Sequence, residues 1–370
     1  MSQPSTEAID AYLRVVSDHG GSDLLLTAGS PPLMRIDGTI GRIPNAPSLA
    51  ADTVEAITYA VLGDALTRRF VEHKEVDFSL TWAGCARLRG NAFRQRGTVA
   101  LAIRLIPLQI PSFAELGLPA LVEQWVRLPQ GFILVTGPTG SGKSTTLASI
   151  IDHINIHRSL HIITIEDPIE YLHDHKGCAV NQRAVGVDTD SFASALRSAL
   201  REDPDVVLVG EMRDLDSIRS ALTIAETGHL VFATLHTNDT SQALDRIVDV
   251  FPAEQQPQVR LQLANTLVGI LNQRLVPKGA GGRVAAFEIL VGTSAVKNLI
   301  KEGKTRQIRN LVITGQRDGM QTLEYRLSEL ASTGVISYDN ARAHSAYPNE
   351  VKDERTAEPF PTAQPAWSRR

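Results

Sequence analysis

The chain's clearest chemistry lies in one octapeptide. GPTGSGKS (137–144) fits the pattern G-x-x-x-x-G-K-[ST]. Such a stretch turns successive backbone N–H groups toward phosphate oxygens, and that turn needs glycine-permissive dihedrals. Lys143 adds a positive charge for the β- and γ-phosphates, and the Ser144 hydroxyl suits Mg²⁺. A helix beginning here would point its positive dipole end at the same anion. The pattern alone can be a glycine-rich turn without a ligand. The context favours the cradle: FILVT (132–136) runs in as a strand, and Leu147, Ile150, Ile151 and Ile154 repeat at helical spacing after it.

Three other apolar runs end on polar residues. HIITI (161–165) is followed by Glu166 and Asp167, VVLVG (206–210) by Glu211, and HLVFATL (229–235) by His236. Near-continuous apolar strands separated by helical stretches predict a parallel sheet buried on both faces. Ligands of such sheets bind beyond the C-terminal strand ends. Four strands therefore bring a phosphate loop, two acidic clusters and a histidine to one edge. Each carboxylate alone could be a helix cap or a solvated loop residue. Together beside a phosphate cradle they suit ATP hydrolysis, which needs an oriented water and coordinated Mg²⁺. Glu211 is the candidate for activating the water, directly or through the metal. Glu166 is the candidate for the metal shell or water positioning, and His236 for contact with the γ-phosphate. His229 opens the strand that His236 closes, about seven residues or roughly 20 Å from that edge. A structural role there is as good a reading as a ligand role.

The elements that must position these groups divide the 370 residues into parts. Residues 1–106 read as a small α+β domain. It has a helix at 6–18, short strands within 23–43 with an Asp37-Gly38 hairpin signal, helices at 51–61 and 64–73, and strands at 75–82, 85–95 and 98–106. The stretch 107–118, PLQIPSFAELGL, reads as a linker. The α/β ATPase core is expected over 119–290, then a helical region over 291–345. Beyond residue 253 the expected elements are helices at 254–274, 293–302, 305–314 and 320–332, with one strand at 283–290. Residues 346–370, with four prolines and little apolar content, read as a disordered tail.

Composition limits the function classes. The formal net charge is −4, whereas a dedicated nucleic-acid binder usually carries a basic excess. Cys85 and Cys178 are the two cysteines, too few for a zinc loop or a disulfide framework, and they fit a reducing cytoplasm. The N-terminus lacks the features of a signal peptide, and no apolar run approaches the ~18 residues of a membrane span.

The motifs in order resemble the type IV pilus retraction (twitching motility) ATPases, within the larger secretion ATPase superfamily. GPTGSGKSTT (137–146) resembles the Walker A and ITIEDPIEYLH (163–173) the family's Asp box. VVLVGEMRD (206–214) resembles its atypical Walker B, and TGHLVFATLHTN (227–238) its His box. AVKNLI (295–300) is similar to the retraction subgroup's AIRNLI-type motif, and GMQT (319–322) also resembles that subgroup; within it, residues 295–300 and GKTRQIR (303–309) look more like the main retraction motor than its accessory paralogue, the alternative reading. The assembly ATPases usually carry a tetracysteine zinc loop and an extra N-terminal region; two cysteines and a short N-terminal domain are expected to favour retraction over assembly.

The resemblance implies a RecA-like core behind a PAS-like N-terminal domain, arranged as a ring-shaped homo-hexamer. It implies a motor that hydrolyses ATP with Mg²⁺ to power pilus retraction. It implies nucleotide contacts from Gly137, Pro138, Thr139, Gly140, Ser141, Gly142, Lys143, Ser144 and Thr145, and metal contacts from Ser144, Glu166 and Glu211. Catalytic roles carry over to Lys143, Glu166, Glu211, His229 and His236. N-terminal-domain arginines reach a nucleotide in this family, and the matching segment offers Arg87, Arg89 and Arg104. On the residues alone, Arg87 and Arg89 could simply line one strand face. The expected partner is an inner-membrane pilus platform protein, the expected place the cytoplasm beside that membrane, and nucleic acid is not an expected partner. The rival readings are a RecA-like nucleic-acid translocase and a nucleotide-gated scaffold with little hydrolysis.

Overall fold

A computed structural model of the chain describes residues 3–36, 38–82 and 86–352. Asp37 of the expected hairpin, Cys85 and the tail from residue 353 lie outside the described residues.

The N-terminal part runs α1 (Gln3–Asp18), β1 (Asp23–Thr27), β2 (Leu33–Ile36), β3 (Thr39–Arg42), α2 (Ala51–His73), β4 (Glu75–Trp82), β5 (Ala86–Gln95) and β6 (Thr98–Pro107). Its strands form an antiparallel sheet in the order β3-β2-β1-β6-β5-β4. Alternation decides the faces. Along β5, Ala86, Leu88 and Ala92 join the core with Leu24, Leu26, Ile57, Phe70 and Leu101, while Arg87 and Arg89 stand on the opposite face. The two helices expected at 51–61 and 64–73 form one element broken at Gly63, where φ is 65°.

The stretch expected as a linker contains a short helix, α3 (Phe113–Leu116). Ser112 and Glu115 close it with a reciprocal capping box, and Gly117 ends it at φ 62°. The core follows as α4 (Ala120–Trp125), β7 (Gly131–Thr136), α5 (Lys143–His157), β8 (His161–Glu166), β9 (Ala179–Ala184), α6 (Phe192–Ala199), β10 (Val206–Val209), α7 (Leu215–Glu226), β11 (Leu230–Leu235), α8 (Thr240–Asp249), α9 (Gln256–Thr266), β12 (Leu267–Pro277) and β13 (Arg283–Val291). The seven strands order as β13-β12-β7-β11-β10-β8-β9. All neighbours are parallel except the β12–β13 pair.

Both sheet faces are buried, as the apolar strands predict. Phe132 and Leu134 of β7 and Val207 and Val209 of β10 pack into one core. Their alternating neighbours Ile133, Val135, Val206 and Leu208 pack into a second. That two-sided burial hides strand periodicity, and it explains one error of the sequence reading. The expected helix 254–274 ends at Thr266, and LVGILNQRLVP continues as β12 between β7 and β13. β12 is also held flat against the core at Gly269, where a Cβ would sit 2.3 Å from the Trp125 ring.

The C-terminal helices are α10 (Ser294–Lys301), α11 (Ile308–Thr314), α12 (Leu323–Ser332) and α13 (Tyr338–Ala343). Packed structure continues past residue 346, where a disordered tail was expected. The Arg309 guanidinium stacks 3.6 Å over the Tyr347 ring and pairs with Glu350 at 2.7 Å, and Val351 is buried. That stretch has little apolar content in sequence, but Tyr347 and Val351 supply the anchors. Among the described residues, no helix is long and apolar enough to cross a membrane.

Candidate nucleotide site

β7 delivers the chain to Gly137, and α5 begins at Lys143. The turn between them uses φ 142° at Gly137 and 90° at Gly142. A Cβ on Gly137 would lie 2.3 Å from the Gln273 carbonyl oxygen, so the first glycine is required by space as well as by dihedral. The Lys143 ammonium folds back and donates to the carbonyls of Gly137 at 2.8 Å and Pro138 at 3.0 Å. Burial pushes its pKa down, and the charges of Glu211 and Glu170 oppose that shift. The Ser141 hydroxyl is buried in the same turn with no hydrogen-bond partner. A turn that keeps an unpartnered buried hydroxyl beside an ammonium suits a phosphate.

Strand order then assembles the rest. β8, β10, β11 and β7 are parallel and adjacent, so Glu166, Glu211 and His236 emerge at the edge that carries the turn. His236 Nε2 lies 3.4 Å from Glu211 Oε1, and His236 Nδ1 lies 3.4 Å from both Lys143 Nζ and Thr139 Oγ1. An ammonium only donates, so Nδ1 accepts and the Nε2–H of the ring faces Glu211. Arg213 holds the other Glu211 oxygen at 2.7 Å. Burial raises the Glu211 carboxyl, but the hydrogen bond and charge of Arg213 and the hydrogen bond from His236 outweigh it and hold it below the usual carboxylate range. The strand ends are themselves laced together, since the Thr234 hydroxyl donates to the Gly210 carbonyl.

Glu166 accepts from the Thr164 hydroxyl at 2.7 Å and the Gln182 amide at 3.3 Å. Burial pushes its carboxyl up despite those bonds. With Ser144, Tyr171, His173 and Gly210 it lines a cleft of about 30 Å³. Hard oxygen donors from Ser144 and Glu166 on one small cleft fit Mg²⁺, which takes few protein ligands and completes its shell with water and phosphate.

Other expected site residues fall elsewhere. His229 lies at the far end of β11, its Nδ1 against the Ile224 carbonyl at 2.9 Å and Thr227 Oγ1 at 3.1 Å. Arg87 reaches from the N-terminal sheet to the Ile169 carbonyl at 3.0 Å and to Ser79 Oγ at 2.9 Å. Burial lowers its pKa, and Glu166 opposes the shift. Arg89 pairs with Glu170 at 3.0 Å. Both arginines thus meet the segment that follows Glu166 in their own chain. Arg104 instead pairs with Asp23 inside the N-terminal sheet at 2.9 Å. Thr145 Oγ1 lies 3.0 Å from the Tyr171 hydroxyl, joining the cradle helix to that same segment.

Sequence reasoning missed Asn272 and Gln273, because it read β12 as helix. Both are buried, at 0% and 3% exposure, and both bond to the turn or its flanks. Two adjacent amides inside an apolar run were the available signal.

Residues 101–341 match the family described as type II/IV secretion system protein. A relative from Pseudomonas aeruginosa, described as type IV pilus retraction ATPase PilT, is 49% identical over 340 residues, covering 92% of this chain and 98% of that one. A twitching motility protein from Neisseria gonorrhoeae is 47% identical over 312 residues, covering 84% and 83% of the two chains. The solved structure described as the pilus retraction motor PilT with bound ADP superimposes with a TM-score of 0.82 at 50% identity, covering 92% of this chain and 97% of that one. The phosphate turn, the carboxylate and histidine at the neighbouring strand ends and this near full-length likeness agree, and the chain belongs to the type II/IV secretion system protein family.

Proposed function

We propose that this chain is a P-loop ATPase whose hydrolysis drives mechanical work, and that the work is retraction of a type IV pilus. The contact series Lys143–His236–Glu211 beside the glycine turn carries the chemical half of this reading. The PilT relatives, one of them solved with ADP, support the cellular half.

On this reading the backbone of residues 137–145 cradles the phosphates. Lys143 exchanges its two carbonyl partners for phosphate oxygens. Glu211 orients the attacking water and draws off its proton, with His236 between that carboxylate and the transferred phosphoryl group. Ser144, Glu166 and Glu211 would hold Mg²⁺, directly or through water, and the ion supplies neutralising charge at the phosphates. The N-terminal domain, residues 1–106, joined through 107–118, packs on a neighbouring core in a homo-hexamer. Arg87, Arg89 and Arg104 there compensate phosphate charge, and His229 serves at the subunit boundary. Residues 291–345 meet an inner-membrane platform protein, so the motor works in the cytoplasm beside that membrane.

Steady-state ATPase assays on the purified chain test the enzyme. No turnover by wild-type protein that binds nucleotide would leave only a nucleotide-gated scaffold. Deleting the gene tests the client: surface pili that persist without twitching are the expected result, and loss of pili would point to assembly instead.

A further inference from the structure

We infer that the adjacent amides Asn272 and Gln273 of β12 are positioning residues that divide the site's work, Gln273 setting the phosphate turn and Asn272 setting the loop that carries His236. The inference rests on the ATPase reading for its kinetic half. Consecutive strand residues point to opposite sheet faces, so each amide serves a different side of β7.

Gln273 reaches into the turn. Its Nε2 donates to the Ser141 carbonyl at 2.7 Å, and its Oε1 accepts from the Thr146 hydroxyl at 2.7 Å. Ser141 O can only accept, which fixes the orientation of the amide. One side chain therefore joins the turn before Lys143 to the first turn of α5 after it. The same residue's backbone oxygen is what a Cβ on Gly137 would strike, and its Nε2 lies 2.8 Å from where a Cβ on Gly142 would be. Gln273 thus fills the space that both glycines leave.

Asn272 reaches the other way. Its Nδ2 donates to Thr136 Oγ1 at 2.9 Å and to the Thr237 carbonyl at 3.1 Å. Thr136 immediately precedes Gly137, and Thr237 immediately follows His236. The Thr237 carbonyl, a pure acceptor, again fixes the amide orientation. Arg274, on the same face, adds a contact to the Asn238 carbonyl at 3.4 Å. Asn272 is fully buried and its Oδ1 has no partner. A residue kept only for packing would not need that unpaired oxygen, since a leucine fills similar space without it.

The two amides predict different kinetics. Gln273→Leu should weaken binding of mant-ADP and raise KM by about tenfold while leaving kcat within about threefold, because it acts on ground-state phosphate binding. Asn272→Leu should lower kcat by about tenfold and leave mant-ADP affinity within about threefold, because it acts on the His236 loop. Where either variant fails to fold, Thr146→Val and Thr136→Val remove the partner hydroxyls and should shift the same parameter. A general stability role would lower kcat and mant-ADP affinity together in both variants. That result, or wild-type kinetics in folded variants, overturns the inference. If wild-type protein binds mant-ADP but does not turn over ATP, the ATPase reading fails instead, and the mant-ADP titrations still decide Gln273.

Discussion

His236 Nε2 lies 3.4 Å from Glu211 Oε1, while Arg213 occupies the other carboxylate oxygen at 2.7 Å. Glu211 is therefore ionised and oriented from both sides. Glu211→Gln preserves size and removes the base. It should lower kcat by about 10²-fold while mant-ADP binding stays intact. Turnover close to wild type in a folded variant would remove Glu211 from the water-activating role.

The cradle's glycines make a sharper contrast. At Gly137 an added methyl meets the Gln273 carbonyl at 2.3 Å, and at Gly140 it meets nothing within 4 Å. Both positions have positive φ, 142° and 77°. Gly140→Ala should cost about 1 kcal/mol of stability, the usual penalty for a left-handed dihedral. Gly137→Ala should cost more and weaken nucleotide binding at least about tenfold, because backbone must move. Thermal melts and mant-ADP titrations decide the matter. Equal effects at the two positions would show that dihedral strain alone sets the turn.

That contrast also marks where the sequence stops being legible. The phosphate turn and the residues after β8, β10 and β11 were readable, because local patterns and the strand-end rule both point to them. Arg87, Arg89 and Arg104 were readable only as a group. Their separate partners, Ile169, Glu170 and Asp23, depend on how two sheets meet, and no local pattern encodes that. β12 was misread because a strand buried on both faces has no period of two, so length and apolarity suit a helix equally well. Asn272 and Gln273 were lost with it. Tyr347 and Val351 were hidden in a polar, proline-bearing stretch, because their anchors are remote in sequence: Arg309 for Tyr347, and the cluster of Leu323, Leu327 and Leu330 for Val351.

Arg87 bonds to the Ile169 carbonyl of its own chain, close to Glu166. In the proposed ring it serves a neighbour's nucleotide. The two placements differ in complementation. Lys143→Ala chains mixed with Arg87→Ala chains should regain part of the ATPase activity that each lacks alone, because some boundaries then pair an intact Lys143 with an intact Arg87. Subunit mixing followed by phosphate-release assays measures it. No recovery in confirmed mixed rings would confine Arg87 to its contact within the chain.

His173 gives a pH dependence with a definite sign. Its side chain is 3% exposed, and its Nδ1 lies 4.0 Å from Asp152 and has no hydrogen-bond partner. Burial pushes its pKa from 6.5 to about 4, with Asp152 opposing only in part. The fold therefore holds the ring neutral, whereas the unfolded chain takes up a proton as pH falls below about 6.5. Stability is unaffected by this group at pH 7 and declines between pH 6.5 and about 4, by roughly 3 kcal/mol in all. His173→Asn removes the titration. Urea unfolding at pH 7 and pH 4.5 should show the wild type losing more than the variant by about 2 kcal/mol. Equal losses would mean that the ring is protonated in place, with Asp152 as its counter-ion.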